Sequence, residues 1–200
     1  LPANCGGFGR VHRFVRMQFN DWPANPLPID PAARHLNIPF VDQLEAQLFQ
    51  HAACSWRCWY CFVDDELLSA NTKRAAFKSA SELLDEYFDQ PKRAPLIDLS
   101  GGQPDLVPEW VIWFADELDR RNATQDVYLW SDDNLSNELM WEVLDEDAIR
   151  RLAGYSNYGK VGCFKGFDES SFSFNTNAKT EMFARQFRVM RRLVKSGIDV

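Results

Sequence analysis

The chain has 200 residues, of which 46% are hydrophobic, 26% charged and 14% aromatic. That is enough apolar volume for one domain core, and it excludes wholesale disorder. The net charge of -7 argues against an extended nucleic-acid interface, which draws its affinity from basic side chains. No apolar run approaches the roughly 18 residues of a membrane-spanning helix.

Leu1-Pro2-Ala3-Asn4 carries neither an initiator Met nor a basic-then-apolar signal pattern, so a fragment or a processed start is expected. Six of the ten prolines fall within residues 1–45. Proline fixes φ and removes a donor, so this stretch reads as an extended arm preceding a core at 46–200. Residues 10–16 form its one short strand.

From residue 46 a rhythm sets in. Residues 47–51 read as a strand. Ser79 and Glu82 form a capping box, and Leu83, Leu84, Tyr87 and Phe88 follow on one helical face. Residues 96–100 are the next strand. Pro108 opens a helix carrying Val111, Phe114, Ala115 and Leu118. Residues 127–130 are a third strand, followed by polar Ser131-Asp132-Asp133-Asn134. Ser136 is expected to cap a helix with Leu139, Met140 and Val143, broken by the acidic residues 145–147. Residues 160–165 are a fourth strand. Asn177 is expected to cap a last helix bearing Phe183, Phe187, Met190 and Val194, which Gly197 ends. Residues 198–200 open a fifth strand. Strand, loop and helix at this spacing predict an α/β fold with a parallel sheet, either doubly wound or part of a β/α barrel. The chain stops as the fifth strand begins, which suggests a truncated barrel.

The basic pairs are Lys73-Arg74, Lys92-Arg93, Arg120-Arg121, Arg150-Arg151 and Arg191-Arg192. The last three fall near helix ends, where cations offset the dipole. The five cysteines are odd in number, and three lie within eight residues. That is no secreted disulfide framework; it suits a metal or cluster site in a reducing cytoplasm. Cys54, Cys58 and Cys61 read C-x3-C-x2-C. Three thiolates on one loop suit a four-iron cubane and leave one iron open for a small ligand. Zinc is the alternative, with His51, Cys5 or Cys163 as fourth ligand, in a non-catalytic interaction module.

With its aromatic residue at Tyr60, this cysteine motif resembles that of the radical S-adenosylmethionine (SAM) superfamily. Some forty residues on, Gly101-Gly102-Gln103-Pro104 resembles that family's Gly-Gly-x-Pro turn, with Gln103 where Glu is usual. The resemblance implies a partial (β/α) barrel and a [4Fe-4S] cluster on Cys54, Cys58 and Cys61. It implies that SAM is chelated to the open iron, with its amino group at Gly101 and Gly102 and its adenine near Tyr60. It further implies reductive cleavage to a 5′-deoxyadenosyl radical, fed by a flavodoxin- or ferredoxin-like donor. More narrowly, Asp132-Asp133-Asn134 and Phe164-Lys165 resemble segments of glycyl-radical-enzyme activases. There Lys165 would meet the SAM carboxylate and Asp132 a monovalent cation, and the substrate would be a partner protein. Cys163 and Leu135 depart from that pattern, standing where the activases have Asp and Gly. A nucleotide or RNA base is the other substrate class considered.

Overall fold

The computed structural model describes residues 2–17 and 23–200. They build one six-stranded sheet, in spatial order β1 (Ala3–Asn4), β2 (Gly9–Val15), β3 (Gln43–Gln50), β4 (Leu96–Ser100), β5 (Tyr128–Asp133) and β6 (Tyr158–Gly162). β1, β2 and β3 are antiparallel neighbours, while β3 through β6 run parallel. The α/β class expected from the sequence is therefore present, with a mostly parallel sheet.

The proline-rich arm is part of this sheet. β2 pairs along its whole length with β3, from Gly9 opposite Phe49 to Val15 opposite Gln43. β3 itself starts before residue 46. Counting prolines across 1–45 averages over two unlike pieces: β2 contains none, and most of the arm's prolines lie at 23–39. A short helix, α1 (Ile29–His35), also forms there, with Pro31 in its first turn.

The remaining helices are α2 (Ala80–Phe88), α3 (Glu109–Arg120), α4 (Leu139–Val143), α5 (Glu146–Gly154), α6 (Glu169–Thr176) and α7 (Phe183–Lys195). The capping box at α2 is fully formed: Ser79 Oγ accepts from Glu82 N, and the Glu82 carboxylate accepts from Ser79 N. Asp145 caps α5, which is why the acidic run divides that region into two helices.

One face of the sheet, with Phe49, Ile97, Leu99 and Leu129, packs in a single core against Leu84, Phe114, Leu118, Leu152 and Leu193 of α2, α3, α5 and α7. The parallel strands follow sequence order, and their connecting helices share that face. The other face is layered. Leu44, Ala46, Leu96, Tyr128 and Trp130 form an apolar floor sealed by Ile29 and Ala32 of α1. Beyond it, towards the C-terminal strand ends, lie Asp98, Ser100 and Asp132, because alternate residues of a strand share a face.

Four local expectations are corrected. Ser136 does not cap α4; its side chain is buried, and Asn137 Oδ1 accepts from Leu139 N instead. Asn177 does not begin the last helix. It ends α6 in the left-handed conformation (φ 56°), a role open to Asn because its short polar side chain tolerates that region. The buried face of α7 is Gln186, Val189 and Leu193, while Phe187 and Val194 are exposed. The phase was misread because a fully buried glutamine lies on the core side: Gln186 Oε1 accepts from Lys165 N at 2.7 Å. Residues 198–200 are not a strand, although Asp199 O accepts from Lys160 N at 2.9 Å beside β6.

Candidate functional site

The cysteine loop leaves the C-terminal end of β3 and is pinned beyond the ends of β4 and β5 and to the end of α6. At β4, Ser55 N donates to Gln103 Oε1 (2.7 Å) and Gln103 N donates to Ala53 O (2.8 Å). At β5, Trp56 Nε1 donates to Asn134 O (3.2 Å). Beyond β6, Arg57 N donates to Thr176 O (2.9 Å) and Trp59 N to Asn175 O (3.3 Å), both at the end of α6. Asn175 Nδ2 in turn donates to Lys165 O. A loop of this length has no regular structure of its own, so these partners satisfy its backbone and set its position.

Cys54 and Cys58 are half-buried and Cys61 is exposed. Burial pushes the Cys54 thiol up, a hydrogen bond at Trp56 counteracts, and Cys58 and Cys61 add to the rise. Burial also raises Cys58, while Lys165 pulls it back down. Asn134 Nδ2 donates to Cys54 Sγ at 3.2 Å. Among the described residues, no three His, Cys, Asp or Glu side chains converge on a single ion. A tetrahedral zinc site needs that convergence. A cubane instead takes each thiolate on a different iron.

The Gly-Gly turn does two jobs. Gly101 adopts φ 72°, open to glycine and costly for other residues. At Gly102 a Cβ would collide with the His51 carbonyl oxygen and lie 2.9 Å from Ala53 O. Where the resemblance implies the SAM amino group, the missing side chain of Gly102 makes room for the backbone that leads into the cysteine loop, so two strand ends approach closely there.

Gln103 is 0% exposed and its amide is fully used. Its oxygen accepts from Ser55 N, and its nitrogen donates to Asp105 Oδ2 (2.9 Å) and to Ser136 Oγ. It is a staple beneath the loop, with no free group for a ligand. Pro104 is buried beside it, in the first turn of a 3-10 helix. Asn137 Nδ2 also donates to Asp105 Oδ2, while Asp105 Oδ1 is buried without a partner among the described residues. Burial, then Asp133, raises the Asp105 carboxyl to about 6.

Asp132 is half-buried and accepts from Ser100 Oγ. Burial raises its carboxyl; Ser100, Lys165, Lys160 and His12 counteract. Asp133 is committed elsewhere. It pairs with Lys160 Nζ at 3.0 Å, both side chains nearly inaccessible, and accepts from Leu135 N at 2.7 Å. Leu135 holds φ 54° while fully buried, a left-handed turn that glycine adopts more readily. Lys165 is half-buried, with its backbone held by Gln186 and Asn175 and its ammonium near Cys58 and Asp132. Tyr60 is half-exposed, edge-on to Trp59 at 5.5 Å. Burial, then Cys58, raises its hydroxyl to about 12. Cys163 is half-buried and raised to about 11 by burial and by Asp132.

The structure thus gathers Cys54, Cys58, Cys61, Tyr60, Gly101, Gly102, Asp132 and Lys165 at the C-terminal strand ends, with Gln103 and Pro104 underneath. It adds Asn134, Asn175, Asp105, Ser136 and Lys160, which carry no motif. Asn134 alone had a signal, its place beside Asp132 and Asp133. No family model matches the chain, and no curated protein matches it.

Proposed function

We propose that this protein is a radical SAM enzyme, with a [4Fe-4S] cluster held by Cys54, Cys58 and Cys61. The observation that carries the reading is the anchoring of the three-cysteine loop. Three thiols on one loop lie where parallel strands end, the loop pinned to β4, β5 and α6 and backed by a Gly-Gly turn. In parallel β/α folds that edge is where ligands and chemistry gather. Parallel strands in sequence order, with their connecting helices on one face, support a partial β/α barrel, the fold this reading needs.

The donor set fits the cluster. It offers three thiols and a hydrogen-bond donor to one sulfur. When bound, the reduced cluster supplies one electron to the SAM sulfonium, which splits into methionine and a 5′-deoxyadenosyl radical that takes a hydrogen atom from the substrate. Asn134 supports the Cys54 sulfur and withdraws electron density from it. The backbone of the Gly101–Gly102 turn meets the SAM amino group, and Lys165 meets its carboxylate as a point charge. Asp132 sits beside Lys165, where it orients that ammonium or shares a monovalent cation. Tyr60 offers its ring to the adenine. Gln103 and Pro104 position the turn from below. The electron comes from an external donor of flavodoxin or ferredoxin type.

Anaerobic reconstitution tests this. The chain should take up about four iron and four sulfide, and with reductant and SAM it should release 5′-deoxyadenosine. Cys58→Ala should do neither. Stoichiometric tightly bound zinc without sulfide would overturn the reading.

A further inference from the structure

A cavity of about 500 Å³ opens beside the β2–β3 edge, lined by Phe8, Arg10, Leu48, Gln50, Lys73 and Arg74 among others. That volume suits a small-molecule ligand. Arg10 and Leu48 are register partners, so they project to the same face of the sheet. Gln50 lies two residues beyond Leu48, and its Cγ sits 2.9 Å from where a Cβ on Gly101 would be. Ala52, at the entry to the cysteine loop, completes that wall. The cavity therefore adjoins the Gly-Gly turn.

Its charge runs against that of the chain. Among the described residues, three cations and no carboxylate line it, in a protein of net charge -7. Arg74 pairs with exposed Glu66 at 3.1 Å. The Arg10 guanidinium bonds only its neighbouring Gly9 carbonyl, and the Lys73 ammonium has no hydrogen-bond or ion-pair partner among the described residues. At the rim, Gly7 takes φ 97° with nothing within 4 Å of its Cβ direction, so backbone faces the opening.

We propose that this cavity binds a phosphate-bearing small molecule, its phosphoryl group held by Arg10 and Lys73 and its body directed towards Gln50 and Gly101. Two free cations and a half-engaged third suit a dianion, where a single carboxylate would leave charge unmatched. The cavity is a single open pocket rather than a stripe, and the overall negative charge repels a polyanionic strand. That the ligand is the substrate of the radical chemistry rests on the function proposed above.

Isothermal titration calorimetry on the reconstituted protein tests it, with pyrophosphate, citrate and a short single-stranded oligonucleotide as probes. Pyrophosphate should bind saturably, one per chain, and more tightly than citrate. Arg10→Ala and Lys73→Ala should each weaken it roughly tenfold, while Lys195→Ala, on the far surface, should not. Absent saturation, citrate or oligonucleotide binding more tightly, or an equal loss in Lys195→Ala would each overturn the proposal. Iron and sulfide are measured in the same samples. Pyrophosphate binding without iron upholds the cavity and sinks the cluster; full iron without pyrophosphate binding does the reverse.

Discussion

Gln103 is an amide whose two ends meet opposite demands. Its nitrogen faces the buried Asp105 carboxylate while its oxygen holds the Ser55 amide. Gln103→Glu would put two carboxylates against each other in a buried space, and like charges there cannot both ionise. Thermal unfolding should show a loss of about 2 kcal/mol at pH 8, the cost of an unsatisfied buried polar contact. The loss should shrink near pH 5, where the pair can share a proton. Adding Asp105→Asn should restore stability at pH 8, since an amide then faces the new carboxylate; no rescue would show that the contact is not what matters. At the opposite rim Lys165 is predicted to act through charge. Lys165→Ala should weaken SAM binding by about 1.5–3 kcal/mol, as for a charge-assisted hydrogen bond, with iron content unchanged. Titration of SAM followed by electron paramagnetic resonance reads this, and parent-like binding would remove Lys165 from the site.

Between elements the decisive contact is the approach of β4's turn to the segment leaving β3. Since a Cβ on Gly102 would meet the His51 carbonyl, Gly102→Ala should displace the cysteine loop. Iron and sulfide retention should fall along with SAM binding. A variant that keeps its full cluster and loses only SAM would restore the simpler picture in which Gly102 faces the ligand. At β5, Leu135 pits strain against burial. Relief of its positive φ is worth about 1–3 kcal/mol, while removing a fully buried leucine costs about 2–5 kcal/mol. Leu135→Gly should therefore destabilise on balance, by denaturant unfolding, even though glycine suits the backbone.

Across the whole molecule, stability should depend on pH through the buried carboxylates. Asp98 is 3% exposed on the sheet face opposite the helices, with Oδ2 at 3.0 Å from His12 Nε2 and Oδ1 without a partner among the described residues. Burial raises its carboxyl to about 7; His12 counteracts and Asp132 adds to the rise. Asp105 rises to about 6 for the same reason. Carboxyls raised on folding bind protons more tightly in the folded state. Their stabilising effect is present below about pH 4 and lost as pH climbs through 6 and 7. The melting temperature should thus be higher at pH 5.5 than at pH 8, and Asp98→Asn should flatten that slope. An unchanged slope in the variant would place the dependence elsewhere.

Local chemistry made much of this protein legible in its sequence. The α2 capping box, the β4 strand, the break before α5 and the three-cysteine spacing depend on residues close in the chain, whose geometry is nearly complete without the rest of the fold. What failed locally failed for a shared reason. Gln186, Ser136, Gln103 and Lys160 are polar, and polarity reads as exposure until a distant partner is known. Their partners, Lys165, Gln103, Ser55 and Asp133, arrive only when separate strand ends are brought together. Gly102 shows the same limit from the other side: the sequence marks a close approach there, and only the packed strands show that the approaching atoms are the protein's own. The sequence by itself determined the βα rhythm and which thiols could act together. The tertiary structure decided what holds them in place, because that support is made of contacts between residues tens of positions apart.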